Sequence, residues 1–441
     1  MVRKVYTSKE EFETQNLQLK TNLPYSENTA VLGEKYTIGS KTAHNRLVCQ
    51  AMEGCDGTPG GRPGELTKRR YNRFAGGGAG IIWFEATAVL EEGRANPRQL
   101  YINENTLDSF KKQVADIKEA ALKANGYEPL VIMQATHSGR YSKPQGVPAP
   151  LIAYNSPVLE KDNPIPADRI VTDEYLDRVG EALINGARLA EKAGFDGVDI
   201  KCCHRYLNSE LLSAYTRKGK YGGSFENRTR LLRESIKGAI ESCSGDFLVS
   251  SRLNVYDGFE YPYGFGVSEN GGLEFDSAEP SRLIAELYGQ GVRILNITMG
   301  NPYFNPHINR PFAQGGYTAA EHPLEGVARV LNGTAELKAA VPQMAVICSA
   351  VSYLGTAAPG VVSAFIGEGK FDFAGFGRTA FAYPDFASDI IKKGGMDKSK
   401  ICICCSKCTE IMRTKGGTPG CVIRDRDVYM PIYKKQCGGN R

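Results

Sequence analysis

Near the C-terminal end, Cys402-Ile-Cys404-Cys405-Ser-Lys-Cys408 is followed at a distance by Cys421. Read as Cys402-x₂-Cys405-x₂-Cys408-x₁₂-Cys421, the stretch offers three thiolates on one tight loop and a fourth that returns from afar. Structural zinc usually takes two spaced pairs of ligands. A cubane iron–sulfur cluster needs one thiolate for each of its four irons and suits this spacing better. Zinc and free thiols are the alternatives on spacing alone. Cys404 lies inside the loop, so taking Cys402 and Cys405 as ligands in its place is an inference.

A second set of chemically able residues closes successive apolar runs. In chain order these are Ala51-Met52-Glu53, Glu85-Ala86-Thr87, Gln134-Ala-Thr-His137-Ser-Gly-Arg140 and Asp199-Ile-Lys201-Cys-Cys-His204-Arg-Tyr206. Arg252, Cys348-Ser349-Ala350 and Gly375-Phe-Gly377-Arg378 complete it. Singly, each has a plain structural explanation. Gln134 could be a satisfied buried amide, His137 a hydrogen-bonded scaffold residue, Gly377 a turn and Arg378 a surface charge. Jointly, each stands where a strand should end. The late Gly-x-Gly-Arg is suited to hold a phosphate through backbone N–H groups and a guanidinium.

The elements that position these residues follow from periodicity. Strand-like runs recur at 46–52, 80–87, 130–135, 197–200, 247–253, 293–298, 345–348 and 371–376. Helical stretches separate them, such as the stripe Leu176, Val179, Leu183, Ala187 and Ala190, with Thr172 or Asp173 as N-cap and Gly194 at its end. Eight strands alternating with helices predict an α/β fold, a (β/α)₈ TIM barrel, whose chemistry gathers at the C-terminal ends of the strands. Two long loops, 256–272 and 300–316, fall at that end. Their aromatic residues Tyr261, Tyr263, Tyr303, Phe304 and His307 suggest a roomy aromatic mouth for a bulky substrate. Residues 1–30 read as an N-terminal arm with an amphipathic helix near 8–18. A doubly wound sheet would bring a Gly-x-Gly-x-x-Gly turn between strand and helix, and no such turn is present.

Composition narrows the class. The 441 residues are 41% hydrophobic and 23% charged, as expected of a globular chain. The N-terminal stretch is polar, with no secretory h-region, and no apolar run reaches membrane-spanning length. Twelve cysteines in that setting point to a reducing, cytoplasmic location and to metal ligation, not disulfides. Cys49, Cys243 and Cys348 read as buried small hydrophobes. The net charge of +5 is too weak to imply nucleic acid. From Lys400 onward, nine basic residues, Arg441 among them, face three acidic ones, a surplus suited to an acidic electron-donor protein.

Five motifs carry a resemblance: Asn45-Arg46-Leu-Val, Phe84-Glu-Ala-Thr-Ala-Val, Gln134-x-x-His137-x-Gly-Arg140, Ala193-Gly-Phe-Asp-Gly-Val-Asp199 and Tyr221-Gly-Gly-Ser-Phe-Glu-Asn-Arg228. In this order the chain resembles the Old Yellow Enzyme family from about Ala30 to Tyr383. With the cysteine extension it is similar to the iron–sulfur branch that contains 2,4-dienoyl-CoA reductase and trimethylamine dehydrogenase. The resemblance implies an N-terminal arm over 1–30, an FMN-binding TIM barrel over 31–395 and a [4Fe-4S]-binding extension over 396–441. The nucleotide-binding half of longer relatives is not expected here.

The roles implied are specific. Gln134 would bond the pyrimidine edge of FMN, and Arg252 would sit near N1 and O2. Ala51, Met52 and Ala86 would line the ring, while Ala350, Gly377 and Arg378 would hold the phosphate. Ser349-Ala350-Val351 replaces the family's usual glycines. Tyr206 matches the proton donor, His204 a carbonyl-polarising donor, and Lys201 replaces the usual second His or Asn. Lys201 would stabilise an enolate or pair with a substrate carboxylate; its structural alternative is an ion pair with Asp199. Glu53 replaces His, Cys or Thr and would pair with Lys201. Cys402, Cys405, Cys408 and Cys421 would ligate the cluster. The implied reaction is ene-reduction of an α,β-unsaturated carbonyl compound, an enone or enoate. NAD(P)H or a protein partner would donate the electrons. Its rivals are oxidation of a small amine and a non-catalytic electron-relay subunit.

Overall fold

A computed structural model describes residues 3–438. An antiparallel hairpin, β1 (Tyr36–Ile38) and β2 (Lys41–Ala43), precedes eight parallel strands: β3 (Leu47–Cys49), β4 (Ile81–Ala88), β5 (Leu130–Thr136), β6 (Gly197–Ile200), β7 (Leu248–Asn254), β8 (Ile294–Thr298), β9 (Ala345–Cys348) and β10 (Phe373–Phe376). The eight close into a barrel in chain order, with β10 returning to β3.

Side-chain alternation explains the closure. Ile81, Trp83, Leu130 and Ile132 point inward with Val48, Ile294, Ile347 and Phe373, whereas Ile82, Phe84, Val131 and Met133 join the outer core beneath the helices. The hairpin plugs the bottom of the barrel with Ile38 and Ala43. It went unforeseen because three-residue strands carry almost no periodic pattern; its one cue is the turn at Gly39, which has φ +58°.

The helix Asp173–Lys192 buries the expected stripe, each leucine contributing about 2 kcal/mol. The Thr172 hydroxyl caps it by accepting from the Tyr175 N–H at 3.2 Å, and the chain leaves it through Gly194 at φ +88°. In the arm, the helix Lys9–Leu19 buries only Phe12 and exposes Leu17. It is held by one anchor, not by an amphipathic face. Cys49 and Cys348 are buried as expected; Cys243 is half-exposed.

After β10 the chain builds a lobe from the helices Lys407–Arg413 and Arg426–Cys437, around a small core of Ile411, Val422 and Tyr429. The lobe lies against the barrel mouth. Arg69 donates to both Asp425 carboxylate oxygens at 2.7 and 2.9 Å, Arg73 joins them, and Arg413 donates to the Pro302 carbonyl at 3.0 Å. Arg441 lies outside the described residues. Among the described residues, no helix is long and apolar enough to cross a membrane.

Candidate active site at the barrel mouth

The C-terminal ends of the strands open into a cavity with about 980 Å³ of free space, part of it open to solvent. Nearly every residue to which the resemblance gives a binding or catalytic role reaches its wall: Ala51, Met52, Glu53, Gln134, Lys201, His204, Tyr206, Arg252, Ala350, Gly377 and Arg378. Ala86 is the exception. It stands in β4 beside Gln134, past a register shift after Phe84, and its carbonyl accepts from Gln99 at 3.1 Å. Of the loop aromatics, Tyr303 alone lines the cavity. Phe304 packs on Phe259, and His307 pairs with Tyr317. The aromatic mouth is instead built by Tyr141 stacked on Tyr303 at 3.9 Å.

A strained turn presents His204 and Tyr206 to the cavity. His204 and Arg205 have φ of +66° and +57°, a conformation costing L-residues roughly 1–2 kcal/mol each. Arg205, fully buried, holds it in place: its guanidinium donates to Asp257 at 2.9 Å, to the Tyr154 hydroxyl at 3.0 Å and to Ser213. Sequence reasoning passed over Arg205, whose cue was a charge set between two candidate residues with Asp257 three residues past the next strand. Tyr206 then donates its hydroxyl to Glu53 at 3.2 Å and meets the Tyr303 hydroxyl at 3.0 Å. Lys201 pairs with Glu53 at 3.6 Å and lies 3.8 Å from the centre of the Tyr206 ring. Asp199 is not its partner. Its oxygens accept from the Trp83 indole, the Gln134 amide and the Arg252 backbone, each at 2.6 Å.

Burial sets the protonation states. It drives the His204 imidazole well below its ordinary value, with Lys201 and Arg252 adding repulsion, so the ring is neutral. Burial, then the Glu53 charge, holds the Tyr206 phenol well above its ordinary value, keeping it an acid. Three buried nitrogen atoms on the cavity wall have no protein partner: His204 Nε2, Arg252 Nε and Arg378 Nη1. Such groups cost stability unless something else satisfies them.

His137 belongs to the scaffold. Its Nδ1 accepts from the Gly139 N–H at 3.1 Å, so Nε2 donates to Tyr175 at 2.8 Å. Burial pushes it down to about 4. As pH falls from about 6.5 toward 4 the unfolded chain therefore takes up a proton that the buried imidazole does not, and the folded state loses on the order of 3 kcal/mol across that window. Above pH 6.5 the contribution is flat. Denaturant midpoints measured across pH should show this slope, and His137→Gln should flatten it.

The end of the cavity around Arg378 is more basic than the sequence suggested. Arg310, also on the wall, is pushed down from its ordinary value by burial and by the neighbouring Arg378. Two crowded guanidiniums favour an anion between them. Ala350 holds φ +70°, so its backbone keeps a glycine-like conformation despite the side chain. A Cβ at Gly377 would press on Met52 Sδ at 3.2 Å.

Beside this cavity lies a second, much tighter space, lined by Cys402, Cys404, Cys405, Cys408 and Cys421. Arg378, Phe381 and Cys408 belong to the walls of both. Cys404 is also buried there; its N–H donates to Cys402 Sγ at 3.4 Å, and its carbonyl accepts from Ala313 and Gln314. Among the described residues, no three His, Cys, Asp or Glu side chains converge as a single-ion site.

Three comparisons bear on this geometry. The family model described as NADH:flavin oxidoreductase / NADH oxidase matches residues 34–270. The NADPH dehydrogenase of Geobacillus sp. (strain WCH70) is 32% identical over 244 residues, 54% of this chain and 67% of its own. The NADH oxidase of Thermoanaerobacter brockii is 27% identical over 84% of this chain and 52% of its own. Among solved structures, a 2-naphthoyl-CoA reductase complex superposes with a TM-score of 0.69 at 20% identity, covering 90% of this chain and 57% of the other. The Old Yellow Enzyme homologue of Zymomonas mobilis gives 0.62 at 21% identity over 83% and 94%. The chain thus spans little more than half the length of some of the proteins it matches.

Proposed function

The chain belongs to the NADH:flavin oxidoreductase / NADH oxidase family, and from that premise we propose that it is an FMN- and [4Fe-4S]-dependent ene-reductase. In this reading, 31–395 form the FMN-binding barrel and 396–441 the cluster-binding extension. One observation carries it. The neutral donor His204, the acid Tyr206 and the cation Lys201 share a wall of the same cavity as Gln134, Arg252, Arg310 and Arg378.

The wall suits FMN. The unpartnered donors of Arg252 and Arg378 would satisfy a ring edge and a phosphate, with Gln134 beside Arg252, Ala51 and Met52 against the ring, and Arg310, Ala350 and Gly377 around the phosphate. When bound, FMN supplies hydride to the β-carbon of an α,β-unsaturated carbonyl compound. The chain does the rest. His204 Nε2 donates to the substrate carbonyl oxygen, Lys201 offsets the negative charge that develops there, and Tyr206 gives its hydroxyl proton to the α-carbon.

The cysteine cavity suits a cluster by its donor set: Cys402, Cys405, Cys408 and Cys421 line one space, and a cubane takes one thiolate for each of its four irons. Cys408, Arg378 and Phe381, common to both cavities, would form the shortest link between the two cofactors. NAD(P)H is the reductant the family suggests. The exposed basic residues of the lobe, with Ile403 at the surface beside the cysteines, favour a second donor, an acidic redox protein.

An anaerobic assay of enones against methylamines, with a dye as electron carrier, tests the reading. Reduction of 2-cyclohexenone is expected, with no turnover of amines. Amine oxidation without enone reduction would replace it with an amine dehydrogenase.

A further inference from the structure

Glu53 sits where two spaces meet. With Tyr303 and Met412 it lines both the barrel-mouth cavity and an outer cleft whose wall includes Cys55, Tyr141, Lys143, Arg413 and Lys415. Its backbone is fixed from below. The Gly54 N–H donates to the Glu85 carboxylate at 2.8 Å, and Glu85 is locked with Asp56 onto the buried Arg70. Its side chain is 13% exposed, against 2% for that of Lys201.

Tyr206 has a single hydroxyl hydrogen and donates it to Glu53. The 3.0 Å contact with Tyr303 is therefore donated by Tyr303. Once Tyr206 has protonated a substrate carbon, a phenolate is left in a buried site beside a carboxylate, where it is costly. It must recover a proton before the next turnover. Of the groups within reach, Tyr303 gains nothing by giving up its own proton, and Lys201 is sealed from solvent on the inner side. Glu53 alone combines contact with the phenol oxygen, a carboxyl group and an outward face.

We propose that Glu53 returns the proton to Tyr206 from water in the outer cleft, acting through Tyr206 and never on the substrate. The proposal rests on the ene-reductase reading above. The steps balance. The Tyr206 O–H bond breaks as the substrate C–H bond forms. A hydronium ion or buffer acid in the outer cleft then protonates Glu53 Oε1, leaving water or the buffer base behind, and that proton passes to the phenolate, regenerating tyrosine and carboxylate. One solvent proton is consumed per turnover, and no electrons move in the return step.

The test compares wild type, Glu53→Gln and Glu53→Asp as FMN-loaded proteins, with flavin content measured from the absorption spectrum as a folding check. Two rates are recorded for each: a single anaerobic reoxidation of the dithionite-reduced flavin by 2-cyclohexenone, and steady-state turnover on a reduced viologen dye. Proton return matters only in the second. For Glu53→Gln the steady-state rate is expected to fall about tenfold more than the single-turnover rate. Added formate or acetate buffer should recover most of that difference, and Glu53→Asp should lie between the two. Equal losses in both rates, no loss in either, or no rescue by buffer would overturn the proposal. A wild-type flavin that 2-cyclohexenone cannot reoxidise would sink the ene-reductase reading itself, in the first trace, and this proposal with it.

Discussion

Replacing Tyr206 with phenylalanine is expected to slow reoxidation of the reduced flavin by 2-cyclohexenone by two to four orders of magnitude, roughly the contribution of a positioned general acid. The substitution removes one oxygen and leaves the ring that packs beside Lys201 and Tyr303. FMN content and reduction by dithionite should therefore match the parent. The pH profile adds a second reading. Burial and Glu53 keep the phenol protonated well past its ordinary value near 10.0, so the wild-type rate should show no alkaline fall up to about pH 10 from loss of this proton. A Tyr206→Phe rate within about threefold of wild type would remove Tyr206 from the chemistry. The scaffold-subunit alternative makes that same prediction, so the one variant separates the two.

The second large effect concerns iron. Cys408→Ala is expected to lower bound iron from about four atoms per chain to below about one, because a cubane that loses one of its thiolates is poorly held. FMN should stay bound, since Gln134, Arg252, Arg310 and Arg378 are untouched. The lobe should loosen, because Cys408 starts the helix Lys407–Arg413 next to its small core. Cys404→Ala supplies the contrast. If Cys404 serves only to bond the loop through its carbonyl, iron stays; if iron is lost, Cys404 is a ligand and the spacing was read one residue out. Zinc in place of iron in the parent protein would contradict the cluster directly.

Much of the barrel was legible because two periodicities carry it. Unbroken apolar runs such as Ile81–Phe84, recurring along the chain, mark strands that are packed on both faces, and the stripe from Leu176 to Ala190 marks a helix that covers them. Strand ends then located the site with no further information, since chemistry gathers at one end of such a barrel. What stayed hidden was set by contacts between distant segments. The anchor of Arg205 on Asp257 and Tyr154 and the crowding of Arg310 by Arg378 depend on loops crossing in space. Ala86 fell off the wall because a register shift in β4 turned it away, which no residue count reveals. Of the aromatic mouth, Tyr303 was foreseen and its stacking partner was not. That partner is Tyr141, from the loop after β5, while Tyr261 and Tyr263 are not on the cavity wall. The interior depends on buried ionic groups as well, and Arg70 with Asp56 and Glu85 illustrates how such a cluster fixes a loop that the hydrophobic pattern leaves undefined.

The central claim is that one chain holds a flavin and a cluster in neighbouring cavities and uses them on an activated alkene. Anaerobic reductive titration of the purified protein, with flavin, iron and zinc measured on the same sample, tests it most directly. The expected result is about one FMN and about four irons per chain, uptake of about three electrons, and return of the oxidised flavin spectrum on adding 2-cyclohexenone. Zinc without iron, an absence of flavin, or a reduced flavin indifferent to the enone would contradict it.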